Sequence, residues 1–451
     1  MISDEPAVIN LVVKNDLCIG CGVCVNACPT SALKITWNEF GFLTPRQDGY
    51  CCQEGMCLKV CPFNPIPEQT VRTENEISEI YIDQSNHYEQ RIGNYIGLYA
   101  GFAHNFRKTS SSGGVATYIL SRLLEKKIVN HVVSVKSSGI DGVHYQYGIS
   151  SSCEDLLKAA KTRYYPVTLA DILPEIHKLD GKVAVVGVAC FIKAIRLAQY
   201  YNPDLKEKIP FLVGIICGGV KSKFFTEYLG NKVGVSTDKV RFPEFRIKDI
   251  NAPAIDYSFG CLDGESQIQK TIKMRTVGDM WGTGYFKANA CDYCDDVASE
   301  LADISLGDAW IPPYMLDGSG SNVVVTRSLL ADSLIEEGIR SNGLEIETLA
   351  AERFVDSQQG AFNHRQKGLP FRIKRARKNK LAIPPKRNEV GDVSVPFLLT
   401  LYGRGIVRKK SLEIWREVRD SNRFDKEIQP YRFFLKILTK LYHLKGVIAR
   451  K

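Results

Sequence analysis

The sequence predicts a chain in three parts: a small cysteine-rich α+β module, a larger α/β domain and a basic helical tail. Three observations predict it. Eight of the fourteen cysteines fall within residues 18–61. From about residue 95 to residue 360, short β-branched runs alternate with helical patterns, the signature of strands feeding helices across a mainly parallel sheet. From Arg372 to Lys451 there are 22 Lys and Arg against 7 Asp and Glu, so the net charge of +9 divides into +15 for the tail and −6 for the rest. A length of 451 residues leaves room for two or three domains of the usual size. No apolar run approaches the ~18 residues of a membrane span, and MISDEPAVIN has neither the basic start nor the apolar stretch of a secretory signal. A cytoplasmic location is expected, and in that reducing compartment clustered cysteines point to metal rather than to disulfides.

Residues 1–70 form the first unit, closed by the proline-rich CPFNPIPEQ. CIGCGVCVNACP places Cys18, Cys21, Cys24 and Cys28 in the run C-x2-C-x2-C-x3-C-P. Three close thiolates hold three corners of a 4Fe-4S cube, and the fourth serves the other cluster in two-cluster ferredoxins. A structural zinc site shows two C-x2-C pairs split by a longer spacer instead. CCQEGMCLKVCP repeats the Cys-Pro ending less regularly. Aligning Cys57 and Cys61 with the last two positions puts Cys51 first and Glu54 second, with Cys52 as the natural substitute. One cluster then takes Cys18, Cys21, Cys24 and Cys61, and the other takes Cys28, Cys51, Cys52 and Cys57. Glu54 or an open position in place of one thiolate stays an alternative.

Residues 71–95 read as a polar linker with a short helix. In the middle domain, residues 96–360, the pattern predicts helices over 113–127 and 191–201 and strands over 127–137, 182–189 and 209–217. No G-x-G-x-x-G follows a strand, so an ordinary NAD site is not expected. The seven histidines show no zinc-hydrolase spacing. Residues 361–451 form a basic, partly helical extension.

SSSGGVAT (110–117), KTRYYP (161–166), GVACFIKAIR (187–196), IICGG (215–219), FRIK (245–248) and CDYCDDVASELADISLGDAW (291–310) resemble the coenzyme F-420 hydrogenase/dehydrogenase beta-subunit family, in the form with a fused two-cluster 4Fe-4S ferredoxin domain. The resemblance covers roughly residues 15–360. It implies an α+β ferredoxin-like N-terminal domain followed by an α/β flavin domain, ahead of the basic helical C-terminal tail that the residues themselves predict. It also implies an FAD and iron-sulfur dependent oxidoreductase that passes electrons from ferredoxin-type clusters through FAD to a deazaflavin or other organic acceptor. Bacterial members are often associated with surface-polysaccharide synthesis. A redox protein such as ferredoxin is the expected partner. A non-catalytic electron-relay subunit and a scaffold with purely structural clusters are the alternatives. Two departures stand out: Ala189-Cys190 where the family reads Pro-Cys, and Cys217-Gly218-Gly219 where it reads Cys-His-Gly. The second weakens the case for the same acceptor.

The resemblance turns several ambiguous residues into candidates. Ser111, Ser112, Gly113 and Gly114 precede a helical pattern and suit a pyrophosphate, although a serine cap with a glycine packing contact reads the same way. Lys161 and Arg163 suit an anion and Tyr164 a ring, against a solvated basic loop. Gly307 and Asp308 suit a flavin or substrate contact, against a structural turn. Cys190 and Cys217 follow two apolar strands, whose carboxyl ends face one crevice in an α/β sheet. With Cys291 and Cys294 they suit a third 4Fe-4S cluster or a tetrahedral zinc, the cluster being favoured because a wire from the front clusters to the flavin needs a stepping stone, against the reading of buried small apolar residues. In the tail, Phe434, Leu435, Leu438, Leu441, Tyr442 and Val447 recur at helical spacing among Arg432, Lys436, Lys440 and Lys445. That pattern suits an anionic membrane surface or docking on the chain's own acidic body. Without a recognition motif, nucleic-acid binding is not expected.

Overall fold

The computed structural model describes residues 5–387, 391 and 393–448, with side chains as far as Leu444. The front module is built around two one-turn helices, Val23–Asn26 and Met56–Lys59, each following a glycine in the left-handed region, Gly22 at φ +79° and Gly55 at φ +74°. A residue with a Cβ pays roughly 1–2 kcal/mol there. Between the helices runs an antiparallel hairpin of β1 (Leu33–Trp37) and β2 (Leu43–Gln47). Its tip reaches the large domain, where Lys223 N donates to Gly41 O at 2.9 Å. The first cysteine loop is tied to the same domain: Leu169 N donates to Cys21 O at 2.8 Å and Asn26 Nδ2 to Ala170 O at 2.9 Å.

The stretch after the module forms the expected short helix, Glu74–Tyr81, started by a capping box of Thr73 and Glu76. It is bound to the large domain rather than solvated, since Glu74 lies buried against Lys193 at 3.0 Å. The hairpin of β3 (His87–Glu89) and β4 (Gly93–Tyr95) follows.

The large domain is organised on an eight-stranded sheet. In chain order its strands are β5 (Gly97–Ala103), β6 (His131–Ser137), β7 (Tyr145–Ser150), β8 (Val183–Val188), β9 (Phe211–Ile215), β13 (Ile304–Asp308), β14 (Asn322–Thr326) and β15 (Leu344–Thr348). In space the order is β15-β5-β14-β13-β9-β8-β6-β7. The predicted strands over 127–137, 182–189 and 209–217 and the helices Val115–Glu125 and Ala189–Tyr201 are all present. The expectation of a mainly parallel sheet holds for its centre alone. β6, β8, β9 and β13 pair in parallel, while β7, β14, β5 and β15 join antiparallel. The reason lies in the connections: β6 runs into β7 and β13 into β14 without a crossover α-helix, so in each pair the second strand reverses against the first.

Both faces of the central strands are covered, which explains why they read as continuous apolar runs. Val132, Ala184 and Val213 face the helices Val115–Glu125 and Leu329–Arg340. Val133, Val185 and Leu212 face Ile172–Lys178 and Ala189–Tyr201. A three-stranded antiparallel sheet of β10 (Val240–Ile247), β11 (Ser258–Asp263) and β12 (Gln269–Lys273) lies outside this sheet and shares a separate aromatic core with the tail.

The tail is a hairpin of two long helices, Val395–Val418 and Ser421–Ile448, reversing at Arg419 with φ 46°. Trp415 is fully buried with its ring centroid 5.5 Å from Tyr228 and 5.7 Å from Phe424, and its Nε1 donates to Glu227 at 2.9 Å. Asp425 accepts from Tyr228 and Lys232, each at 2.8 Å. Of the tail residues singled out by spacing, Leu435 and Leu438 turn inward, whereas Phe434 and Leu441 stay exposed along with Phe433, Ile437 and Leu444. The side chains of Lys445 and Val447 lie outside the described residues. Docking on the chain's own body is thus realised for one face of this helix, through aromatic packing more than through bulk charge.

Two substitutions test these contacts. Trp415→Ala removes the largest buried ring of the aromatic core and is expected to lower stability by about 3–5 kcal/mol, read as an earlier unfolding midpoint in urea. Gly22→Ala places a Cβ 2.1 Å from Thr168 Oγ1 and 2.7 Å from Ala170 N. It is expected to loosen the module from the domain, with faster proteolytic cleavage in residues 71–95 than in the wild type.

Candidate functional site

The cysteines gather in three groups, two in the front module and one in the large domain. The first is gathered by the loop before Val23–Asn26 and by the chain after Met56–Lys59: Cys18, Cys21, Cys24 and Cys61 surround one recess, with Ile19 and Phe63 in its wall. Gly20 N points at Cys18 Sγ across 3.4 Å. Burial pushes the Cys21 thiol up to about 11 and the Cys18 thiol up to about 12. Cys24 and Cys61 are raised further, by burial first and then by the neighbouring sulfurs. Four thiols set this way ionise only beside a strong positive charge, such as a bound metal would supply.

The second group is nearer the surface. Burial raises the Cys57 thiol, and the sulfurs acting on it are those of Cys28 and Cys51. Ala32 N points at Cys28 Sγ across 3.3 Å. Cys52 is half-buried and Glu54 is exposed. The chain between them turns through Gln53 at φ 62°.

The third group forms where the central strands end. Cys190 opens the helix that follows β8, Cys217 lies two residues past β9, and Cys291 and Cys294 sit on the turn Asn289–Tyr293 and just after it. All four line one recess. Gly219 N points at Cys217 Sγ and Val220 N at Cys291 Sγ, each at 3.2 Å. The Cys190 thiol is raised well above its ordinary range by burial and by the three other sulfurs. Ile19 and Phe63 belong to the wall of this recess as well as to that of the first, so two side chains separate the groups. Arg365 completes the third recess. Sequence reasoning did not reach Ile19, Phe63 or Arg365, because an apolar residue in a loop and an arginine in a basic stretch carry no spacing signal.

The segments expected to hold a flavin also meet. Thr162 N donates to Ser111 Oγ at 3.0 Å, Lys161 pairs with Glu244 at 2.7 Å, and Lys248 donates to Ser112 O at 2.7 Å. Arg246 pairs with Asp308 at 2.5 Å. Ser112 Oγ bonds Ser321 O, and Gly113 approaches Asn322 so closely that a Cβ would stand 2.8 Å from its Oδ1. Gly114 starts Val115–Glu125 from the left-handed region at φ 82°. Lys161 and Asp308 are therefore held in ion pairs, and the hydroxyls of Ser111 and Ser112 are engaged within the protein. Among the described residues, the buried polar atoms here without a partner are Ser110 Oγ, Arg163 Nε and Arg246 Nε. Tyr164 is half-buried, its ring centroid 4.8 Å from Trp281. Trp281 in turn covers Gly218, where an added Cβ would stand 2.9 Å from the indole. The ring thus fills the space where a side chain at position 218 would stand.

The N-terminal and C-terminal models of "Coenzyme F420 hydrogenase/dehydrogenase, beta subunit" match residues 98–174 and 180–352, and a 4Fe-4S binding domain model matches residues 11–34. The coenzyme F420-dependent sulfite reductase of Methanocaldococcus jannaschii is 24% identical over 372 residues, which are 77% of this chain and 51% of that protein. The chain thus spans about half the length of that relative. The F(420)H(2) dehydrogenase of Methanosarcina mazei has a subunit that is 23% identical over 312 residues, covering 68% of this chain and 80% of its own. A ferredoxin of Pyrobaculum islandicum is 35% identical over 63 residues, 14% of this chain and 56% of its own. Among solved structures, the F420-reducing [NiFe] hydrogenase complex of Methanosarcina barkeri contains a chain that matches with a TM-score of 0.48 and 22% identity, over 63% of this chain and 94% of that one. With both halves of one family model matched in order behind a 4Fe-4S binding domain, the chain belongs to the coenzyme F420 hydrogenase/dehydrogenase beta-subunit family.

Proposed function

We propose that this protein is an iron-sulfur flavoenzyme that carries electrons from its front module, through a third cluster, to FAD and an organic acceptor. The observation that carries the reading is the shared wall of Ile19 and Phe63, which places the first and third cysteine groups back to back. Cys18, Cys21, Cys24 and Cys61 would hold one 4Fe-4S cluster, and Cys28, Cys51, Cys52 and Cys57 the second. Cys190, Cys217, Cys291 and Cys294 would hold the third. A single zinc ion would draw its thiols to within about 4 Å of one another. Among the described residues, no three His, Cys, Asp or Glu side chains are gathered as one ion requires.

FAD is supported by the orphaned Ser110 Oγ, Arg163 Nε and Arg246 Nε at the meeting point of the four segments. Those atoms and the Ser111–Gly114 loop would hold it, with Lys161 and Asp308 positioning the walls through their ion pairs. When bound, the clusters carry single electrons and the flavin collects two. The protein's own part is to exclude water around the buried thiols, to separate the groups by apolar side chains, and to set Tyr164 and Trp281 between the third group and the flavin pocket. Trp281 over Gly218 reshapes the wall beside Cys217, which favours an acceptor other than the usual deazaflavin. A non-catalytic relay subunit is the second reading, favoured by the relatives that are named as subunits.

Anaerobic reconstitution is expected to give about twelve irons per chain and bound FAD. Replacing Cys291 and Cys294 by serine should remove about four of those irons and halt flavin reduction by a reduced ferredoxin. An unchanged iron count would sink the third cluster, and flavin that reduces without any acceptor turning over would favour the relay subunit.

The tail supplies a peripheral contact. Phe433, Ile437, Leu441 and Leu444 form an exposed apolar stripe at helical spacing, flanked by the exposed Arg432, Lys436 and Lys440. An anionic bilayer surface complements both the apolar stripe and the positive charge. Replacing Phe433, Ile437 and Leu441 by serine leaves the inward Leu435 and Leu438 in place. It should weaken binding to vesicles containing phosphatidylglycerol by more than about tenfold. Equal binding by the variant and the wild type would remove this contact.

A further inference from the structure

Arg365 lies beyond the residues matched by the family models, in a place where the backbone is unusual. The helix Gln359–Phe362 runs into a π-helical turn, Asn363–Lys367, a local widening that often marks functional positions. Here it turns the Arg365 side chain inward, leaving the residue 4% exposed. Nη1 donates to Asp296 O at 2.9 Å and points at Cys294 Sγ across 3.6 Å, while Nη2 donates to Cys217 O. One guanidinium thereby ties together the two loops that bring Cys217 and Cys294 to the recess.

The partners of this cation are uncharged. Nearby buried bases have carboxylates of their own: Lys287 has Asp292 at 2.6 Å, Lys386 has Asp295 at 3.3 Å, and Arg387 has Glu300 at 2.6 Å. Among the described residues, Arg365 makes no ion pair with a carboxylate. A buried guanidinium left in that state is strongly disfavoured. The groups its charge acts on are the four sulfurs of Cys190, Cys217, Cys291 and Cys294. Four neutral thiols would not balance it. Four thiolates around a cube would, since that assembly carries net negative charge and gains one more with each electron it accepts.

We propose that Arg365 is the countercharge of the group held by Cys190, Cys217, Cys291 and Cys294, and that it raises that group's reduction potential. The proposal rests on the third-cluster reading. Addition of one electron, without a proton, makes the group more negative, and the fixed positive charge stabilises the reduced form more than the oxidised one. Arg365 acts through the ligands and their surroundings, so its signature is a potential rather than a rate.

The test is a potentiometric titration of the reconstituted full-length protein, followed by EPR, for the wild type, Arg365→Gln and Arg365→Lys. The Cys291→Ser/Cys294→Ser variant identifies which signal belongs to the third cluster. In Arg365→Gln the reduction equilibrium of that cluster is expected to fall by about tenfold or more, a drop in midpoint of about 59 mV per tenfold for one electron. The two front midpoints stay in place, and Arg365→Lys recovers most of the shift. Should Arg365→Gln shed about four irons while Arg365→Lys retains them, the inference also stands, because charge and not shape then holds the group. An unchanged third midpoint in Arg365→Gln, or the same change in both variants, overturns it. A wild-type protein with about eight irons and no third signal overturns the third-cluster reading itself, a result distinct from an unshifted midpoint.

Discussion

The structure depends on one packing contact, the wall that Ile19 and Phe63 build between two groups of buried thiols. Everything around it serves to keep the front module seated there. Gly22 lets the chain pass Thr168 and Ala170 without a side chain, and Asn26 and the amide of Leu169 tie that passage down. The one-turn helices could be built in isolation, as their glycine starts are local devices. Their orientation toward β8 and β9 could not, since it needs the crevice at the carboxyl ends of the central strands.

That difference explains how much was legible in the sequence. The first cysteine run has a spacing that one kind of loop satisfies, so Cys18, Cys21 and Cys24 could be placed before any fold was known, and the partner Cys61 followed from the second Cys-Pro. The convergence of Cys190, Cys217, Cys291 and Cys294 was also within reach, since two follow strand-like runs and two share a C-x2-C loop. Strand direction at the sheet's flanks was not, because the apolar runs of β5 and β14 read like those of parallel strands, and only their pairing in the folded sheet shows the reversal. Likewise the sequence could suggest that Lys161 and Asp308 face a cleft but not that Glu244 and Arg246 already hold them. Pairing partners far apart in the chain leave no local pattern.

The departure at Gly218 is explained by the same logic of occupied space. A glycine opposite an indole is a matched pair: the ring of Trp281 lies where a side chain at position 218 would stand. Reverting Gly218 alone would overpack the site, which typically costs about 1–3 kcal/mol. Gly218 and Trp281 together thus shape the wall between Cys217 and Tyr164.

The tail's positive charge belongs to this architecture too. Read as composition, +15 over the last eighty residues invites an acidic partner. In the fold, several of those charges are consumed internally: Lys386 and Arg387 reach Asp295 and Glu300, Arg408 reaches Asp292, and Arg372 donates to the backbone carbonyl of Asp292. Asp292 and Asp295 immediately follow Cys291 and Cys294 in the chain, so the tail neutralises the acidic residues on the loops that carry these thiols. Buried ion pairs of this kind contribute little net stability compared with apolar packing, but breaking one leaves a stranded charge. They therefore act as register devices, fixing where the tail lies over the loops. With Asp292 and Asp295 paired from outside, Arg365 stands in the wall of the recess without a carboxylate partner among the described residues, and it acts on the four sulfurs together with Lys287, Lys386 and the acidic loop itself.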